Sequence, residues 1–259
     1  MWNGFWRYRY LLWNLVSRDF KLKYRRSVLG VVWSVLNPLL MCLVYWAVFS
    51  SLMDMRGSGI DNFPVFLMCG QLLFNFFNEA TSTSMSSVLG AASLLKKVYI
   101  PKYIFPLEKC CFALVNFFFS LVALFFVALV TWSHISLRTV LLAVYPIVML
   151  FVFSLGVGLI LSTMYVFVRD IMHIWEVFCT LLVYGSAIFY DPSQMASWMQ
   201  AVINLNPIYW YITAVRSCVM WGTGLTLNMV LIPFLCSALS LGIGVYVFKK
   251  NQDKFVLYM

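Results

Sequence analysis

The sequence predicts an all-α membrane protein, and three observations indicate this. Of the 259 residues, 63% are hydrophobic and only 10% are charged, and the mean hydropathy is +0.89. Soluble domains are about half apolar and about a quarter charged. Uncharged apolar stretches of the length needed to cross a bilayer recur along the chain. These features exclude an ordinary soluble globular protein, a disordered chain and a nucleic-acid-binding domain.

The first 26 residues are predicted to form an amphipathic helix at the cytoplasmic membrane interface. On a helical wheel, one narrow arc holds the polar residues Arg7, Asn14, Arg18, Lys21 and Arg25. The opposite side is aromatic and aliphatic, although Arg9, Asp19 and Lys23 interrupt it. The helix is therefore either a simple topology anchor or a platform for a cytoplasmic partner.

Residues 27–259 are predicted to form one transmembrane domain with six helical spans. The spans are expected at about residues 27–53, 62–89, 110–133, 139–168, 171–190 and 229–248. The uncharged segment 192–222 is also long, but Asn206 and Pro207 lie in its middle, and a proline after an asparagine breaks a helix.

The distribution of basic residues decides between six and seven crossings. With six crossings, 15 of the 18 Lys and Arg residues lie on the side of both termini. A seventh crossing would place the three C-terminal lysines outside, against the positive-inside rule. We therefore expect both termini in the cytoplasm and a re-entrant helical hairpin at 192–222, between spans five and six. Because irregular backbone at membrane depth needs cover, the hairpin is expected to pack against an outer cavity.

No pattern in the sequence indicates an enzyme. The G-x-x-x-x-G-K-[ST] phosphate loop and acidic metal motifs are absent, and no serine or cysteine has a plausible histidine partner. The seven cysteines lie in apolar stretches without a C-x-x-C pair, which predicts inert buried thiols. We expect no catalytic residue, metal or cofactor in this chain, so active transport would draw on another subunit or an ion gradient.

Glu79 and three charged residues near span five need separate explanations. A carboxylate in a span is costly, so Glu79 either lines a wet path or is a hydrogen-bonded structural acid. Asp170, His173 and Glu176 repeat on one helical face, which permits a metal or acid–base cluster. Their position at a membrane boundary favours a charged cytoplasmic cap instead.

Aromatic side chains are spread over spans one, two and five and the hairpin. Interfacial belts explain most of them, but aromatic faces also give sugar rings a surface on which to slide. The candidate pore-lining aromatic residues are Trp33, Trp46, Phe74, Phe77, Tyr184, Phe189 and Tyr190.

Four stretches, in this order and spacing, resemble the membrane subunit of bacterial ABC exporters of polysaccharides, a family that handles O-antigen, capsule and wall teichoic acid. They are RDFKLKYRRSVLGVVWSVLNPLL (18–40), LLKKVYIPKYIFPL (94–107), FVRDIMHI (167–174) and NPIYWYITAVRS (206–217). The C-terminal FKKNQDKF (248–255) is similar as well. Glu79 has no place in the family pattern.

The resemblance implies a homodimer whose pore lies between the subunits, lined by spans one, two and five. Two copies of a separate ABC ATPase, which bind ATP and Mg, would dock below it. The N-terminal helix and the loop 93–109 would contact that ATPase. The expected coupling residues are Arg18, Lys21, Lys96, Tyr99 and Lys102.

The implied substrate is a polysaccharide on undecaprenyl diphosphate, carried across the bacterial cytoplasmic membrane. Cations at the cytoplasmic edge would attract its diphosphate, namely Arg25, Arg26, Lys97 and Arg169. Two alternatives stay open. One is a subunit of the same architecture that exports a small amphiphile such as a drug or lipid. The other is a membrane-embedded enzyme or ion-coupled carrier that uses Glu79 or the charged trio.

Overall fold

The computed structural model describes residues 2–25, 27–52, 62–98, 100–131 and 137–258, and within these ranges it contains helices but no β-strand. The prediction of an all-α protein is therefore confirmed for the described chain. In chain order the α-helices are α1 (Trp2–Tyr24), α2 (Trp33–Leu52), α3 (Phe63–Gly90), α4 (Ala92–Leu95), α5 (Ile104–Val130), α6 (Leu137–Phe167), α7 (Ile171–Gly185), α8 (Ser197–Leu205), α9 (Pro207–Arg216), α10 (Leu227–Asn251) and α11 (Phe255–Tyr258).

Four helical stretches in the described chain are long and apolar enough to cross a membrane. They are Gly30–Val48, Ile104–Val130, Thr139–Phe167 and Leu227–Lys254, which correspond to α2, α5, α6 and α10. Of the remaining predicted spans, α3 has 28 residues but a more polar sequence, and the apolar α7 has only 15 residues. This pattern is that of a multi-pass membrane protein.

Prolines lie in the first turn of α3, α5 and α9. α5 begins at Ile104, inside the loop predicted at 93–109, because Pro106 lies in the first turn, where backbone N–H groups have no partner within the helix. The predicted break at Pro207 is present, since α8 ends at Leu205 and α9 begins at Pro207. The Asn206 side chain caps α9 by accepting a hydrogen bond from the Ile208 N–H at 3.0 Å.

α3 lies at the centre of the helix assembly, with α5 and α6 packed along it. Phe76 contacts Phe117 of α5 at 5.4 Å between ring centroids, and Phe77 stacks on Phe153 of α6 at 5.7 Å. Small and polar residues continue this contact further along α3, where the buried Ser84 hydroxyl donates to the Pro106 carbonyl at 3.1 Å. α3 therefore has protein rather than lipid around most of its surface.

The crossing of α6 and α10 depends on glycine and serine. A Cβ on Gly244 would lie 2.4 Å from the backbone oxygen of Gly156, so the two backbones touch directly. Beside this point, the Ser240 hydroxyl donates to the Phe153 carbonyl at 3.0 Å. Close backbone approach of this kind, with serine bonds across it, is a typical way for helices to associate in a membrane.

We expect Gly244→Ala to destabilise the protein by about 1–3 kcal/mol, the usual cost of forcing extra atoms into a packed contact. The new methyl group would meet the Gly156 backbone, which cannot rotate away. The matched control is Gly242→Ala on the same helix, where an added Cβ has no neighbour within 4 Å. Thermal unfolding in detergent measures the difference, and equal stability of the two variants would contradict the close crossing.

Candidate functional site

α1 has an exposed polar face and a face that packs on the rest of the chain. The described members of the predicted polar arc are all exposed, namely Asn14, Arg18, Lys21 and Arg25. On the other face, Leu15 and Val16 are buried. Leu15 packs in an apolar cluster with Ile100 and Ile104, at the start of α5. The apolar face is thus covered in part by the protein itself, and the two elements expected to contact an ATPase lie against each other.

Asp19 interrupts the apolar face because it is paired with α5. Lys109 donates a hydrogen bond to one Asp19 carboxylate oxygen, and Arg18 forms an ion pair with the other at 2.8 Å. Burial alone would raise the pKa of the Asp19 carboxyl, but the bonds from Lys109 and Arg18 outweigh burial and hold this pKa below its ordinary value of 3.8. Lys109 also lies 3.4 Å from the buried Glu108 carboxylate.

Lys23, which also interrupts the apolar face of α1, forms an ion pair with Glu79. The Lys23 ammonium lies 3.0 Å from a carboxylate oxygen of Glu79, in the middle of α3. The Asn116 amide of α5 donates to the same oxygen at 2.7 Å. The sequence left two interpretations of Glu79 open, a residue that lines a wet path and a hydrogen-bonded structural acid. The described contacts are those of a hydrogen-bonded acid. Asp19 and Lys23 are four residues apart, so both pairs leave α1 from one face.

A cationic groove of about 740 Å³ lies along α1 beside the turn that precedes α2. It is lined by Asn14, Ser17, Arg18, Phe20, Lys21, Leu22, Tyr24, Arg25 and Val31. Arg18 and Lys21, predicted for ATPase contact, and Arg25, predicted for diphosphate attraction, therefore share one surface. The groove combines positive charge with apolar walls, a chemistry that suits an anionic group on a lipid or a polymer.

The other predicted cations that the structure describes do not line this groove. Lys96 and Lys97 are exposed just after α4, and Arg169 is exposed before α7 with its guanidinium 5.5 Å from the Tyr165 ring centre. Lys102 instead binds within the chain, where its ammonium donates to the Gln252 carbonyl. Arg26 and Tyr99 lie outside the described residues.

The predicted pore-lining aromatic residues fall into two groups in the single chain. Trp33, Trp46 and Tyr184 are exposed on α2 and α7, at 43%, 47% and 65%. Phe74 and Phe77 are buried in the core of the chain, where Phe77 contacts Trp175 at 6.0 Å. Phe189 and Tyr190 are half-buried just after α7.

Arg216 joins the hairpin region to α3 and to the segment after α7. Its fully buried guanidinium donates to the Phe66 carbonyl at 3.1 and 3.2 Å, to Ala187 at 2.9 Å and to Ile188 at 3.0 Å. No described Asp or Glu forms an ion pair with it. Gly70 makes the necessary room, because a Cβ there would lie 2.8 Å from an Arg216 nitrogen.

The charged trio Asp170, His173 and Glu176 lies exposed along α7. Across the described ranges, no group of three His, Cys, Asp or Glu residues is placed to hold a metal ion. No local pattern in the sequence indicates the roles of Asn116, Gly70 and Arg216, because each depends on a contact with a distant segment. One signal in the sequence pointed to the Lys23–Glu79 pair. Glu79 is an acid in a predicted span, and Lys23 is a base on the apolar face of α1, so the two carry opposite charges.

We expect Asp19→Asn to weaken the docking of α1 by about 1.5–3 kcal/mol, the range for hydrogen bonds to charged groups. Because the pKa of Asp19 is lower in the folded chain, its contribution is complete above the ordinary value of 3.8 and is lost as the pH falls through the folded-state pKa. Amide exchange of α1 measures docking, and Asp253→Asn, at an exposed turn, is the control. If the amides of α1 exchange as slowly in Asp19→Asn as in the wild type, Asp19 does not contribute to the docking of α1.

Comparison with known proteins identifies the chain's relatives. Residues 10–220 match the ABC-2 type transporter family. The chain is 27% identical to an O-antigen export system permease protein RfbA of Klebsiella pneumoniae, over 95% of this chain and 93% of that protein. It is 31% identical to a protein of the same name from Myxococcus xanthus, over 82% and 81%. The resemblance found in the sequence is confirmed, and the chain belongs to the ABC-2 type transporter family as a permease homologous to O-antigen export permeases.

Proposed function

We propose that this chain is the pore-forming subunit of an ATP-driven exporter that moves an undecaprenyl-diphosphate-linked polysaccharide across the bacterial cytoplasmic membrane. Homology to O-antigen export permeases supports the polysaccharide. The cationic groove supports the lipid diphosphate as the bound group. It brings Arg18, Lys21 and Arg25 together beside the start of α2. A diphosphate carries enough charge to bind several cations at once.

The proposed topology has six crossings, formed by α2, α3, α5, α6, α7 and α10. α3 is polar for a spanning helix, but its burial among α5 and α6 supports this role. The short α8 and α9 form the re-entrant hairpin on the outer side, and both termini are cytoplasmic. The excess of Lys and Arg on the side of the termini supports this orientation.

The proposed assembly has two copies of this chain and two copies of a cytoplasmic ABC ATPase that binds ATP and Mg. Large apolar side chains exposed on α2 and α7, such as Trp46 and Tyr184, support a pore and a subunit contact along these helices. α1 and the exposed Lys96 and Lys97 form the surface that receives the ATPase. The sugar chain then slides along exposed aromatic faces without strong binding.

We expect the double variant Lys21→Gln/Arg25→Gln to weaken binding of the diphosphate by about 10- to 30-fold. Each basic residue near an anionic lipid surface contributes about 1 kcal/mol, and 1.4 kcal/mol is a factor of ten. Surface polysaccharide should fall while lipid-linked polymer accumulates in the cytoplasm. Lys249→Gln/Lys254→Gln, with two exposed lysines of the C-terminal region, is the matched control.

Two outcomes of this experiment would count against the proposal. Normal surface polysaccharide in the double variant would contradict the role of the groove. Normal surface polysaccharide in a strain that lacks the whole chain, combined with altered sensitivity to amphiphilic drugs, would favour a permease for a small amphiphile instead.

We expect deletion of residues 1–22 to dissociate or uncouple the ATPase while the remaining helices still insert. The reason is that this deletion removes most of α1, including the Asp19 pair, but leaves α2 to α10 in place. Co-purification of the ATPase and its rate of ATP hydrolysis are the measurements. An intact and active complex after the deletion would contradict the role of α1 as the platform for the ATPase. In a separate measurement, robust ATP hydrolysis by the purified chain alone would contradict a separate ATPase subunit.

A further inference from the structure

Glu79 is the one charged residue of α3, and both groups that bind its carboxylate come from other helices. Lys23 of α1 lies 3.0 Å from it and Asn116 of α5 lies 2.7 Å from it. Lys23 and Glu79 keep 41% and 30% of their side-chain surface exposed, so the pair lies at the surface of the helix assembly. A single ion pair at a surface position adds little to folding stability, so stability alone is a weak reason for a charge in the middle of α3.

The start of α3 is held by Arg216. The guanidinium makes two of its four hydrogen bonds to the Phe66 carbonyl in the first turns of α3 and stacks on the Phe66 ring at 3.4 Å. Its remaining bonds go to Ala187 and Ile188, after α7. Because Arg216 is the last residue of α9, this one side chain ties the start of α3 to the hairpin helices.

The helix between these two contacts is continuous. Phe66 and Glu79 are separated by about 20 Å at 1.5 Å per residue. No proline lies between them, and the α3 residues in this interval are mostly buried against α5 and α6. A packed core transmits a displacement because it does not deform continuously.

From these contacts we propose that α3 transmits the movement of α1 to the outer hairpin, with Glu79 in the middle of α3 and Arg216 at its start as the positioning residues. Lys23 pulls on Glu79 when the ATPase displaces α1. α3 then shifts, and Arg216 carries that shift to α9 and to the segment after α7. This inference rests on the proposed function, since it assumes that an ATPase acts on α1 and that α8 and α9 close the outer side.

The first test replaces Glu79 by Gln in the complete complex with its ATPase. The measurements are surface polysaccharide, ATP hydrolysis, and amide exchange of residues 197–216 with and without ATP. The expected result is a complex that assembles and hydrolyses ATP but exports at least about fivefold less, the lower end of typical coupling between sites. The ATP-dependent change of exchange in α8 and α9 should disappear. Wild-type export with this change intact would overturn the inference.

A double-mutant cycle separates a shared contact from two independent effects. Lys23→Gln should give the same loss as Glu79→Gln, and the double variant should be no worse than either, because each change removes one contact. Exchanging the charges, Lys23→Glu with Glu79→Lys, should restore part of the export, and the unpartnered amide oxygen of Asn116 can accept a bond from the new lysine. Additive losses in the double variant would overturn the role of the pair.

The outer end is tested with two glycines of α3. Gly70→Ala leaves every charge in place but displaces the Arg216 guanidinium, so it should abolish the ATP-dependent change in α8 and α9. Gly90→Ala is the matched control, since an added Cβ there has no neighbour within 4 Å. A wild-type response in Gly70→Ala would overturn the role of Arg216.

Thermal unfolding of every variant distinguishes transmission from simple support. Export that falls without a matching fall in melting temperature supports transmission. A melting temperature that falls in parallel with export in all variants would assign Glu79 and Arg216 a structural role and overturn the inference. If the wild-type complex neither binds an ATPase nor exports a polymer, the proposed function fails first, and the two failures are thereby told apart.

Discussion

The hydrocarbon of a bilayer offers no hydrogen-bond partners, so each polar group of a spanning helix must find its partner in the protein. In the proposed topology this constraint acts most strongly on α3, which carries Glu79 and a run of serine and threonine residues in its second half. Most of these hydroxyls donate to oxygens of α3 itself, such as Thr81 to the Phe77 carbonyl and Thr83 to the Glu79 carbonyl. α5 supplies the partners that α3 lacks, since the Asn116 amide donates to Glu79 and the Pro106 carbonyl accepts from Ser84.

The same constraint explains the charges of α1. A helix that only rests on lipid would gain from a continuous apolar face. Asp19 and Lys23 break that face because their partners, Lys109 and Glu79, belong to the helices beneath it. α1 is consequently joined to α3 and α5 by charged contacts, while Arg18, Lys21 and Arg25 stay exposed on its outer surface.

This division of α1 supports the proposal that the permease takes its energy from another protein. The exposed cations are available to a partner or to an anionic substrate, and the inward charges connect the helix to the membrane core. At the start of α3, Arg216 is buried without a described acidic partner and is satisfied by carbonyl oxygens alone. The middle and the start of the central helix are therefore each held by a cation from another segment, Lys23 being partly exposed and Arg216 fully enclosed.

The sequence by itself was sufficient to predict a membrane protein made of helices, the amphipathic pattern of α1 and the helix break at Pro207. It was also sufficient to recognise the transporter family. These depend on composition, on local periodicity and on the backbone chemistry of proline, which act over a few residues. Only the tertiary structure decided what Glu79 binds, why Lys23 lies on the inward face and which residues satisfy Arg216. Those contacts join residues as far apart as Phe66 and Arg216, and no local rule specifies which distant backbone oxygen a buried guanidinium will meet. The burial of Phe74 and Phe77 was undetermined for the same reason, because an aromatic residue in a spanning helix can face protein, lipid or a pore.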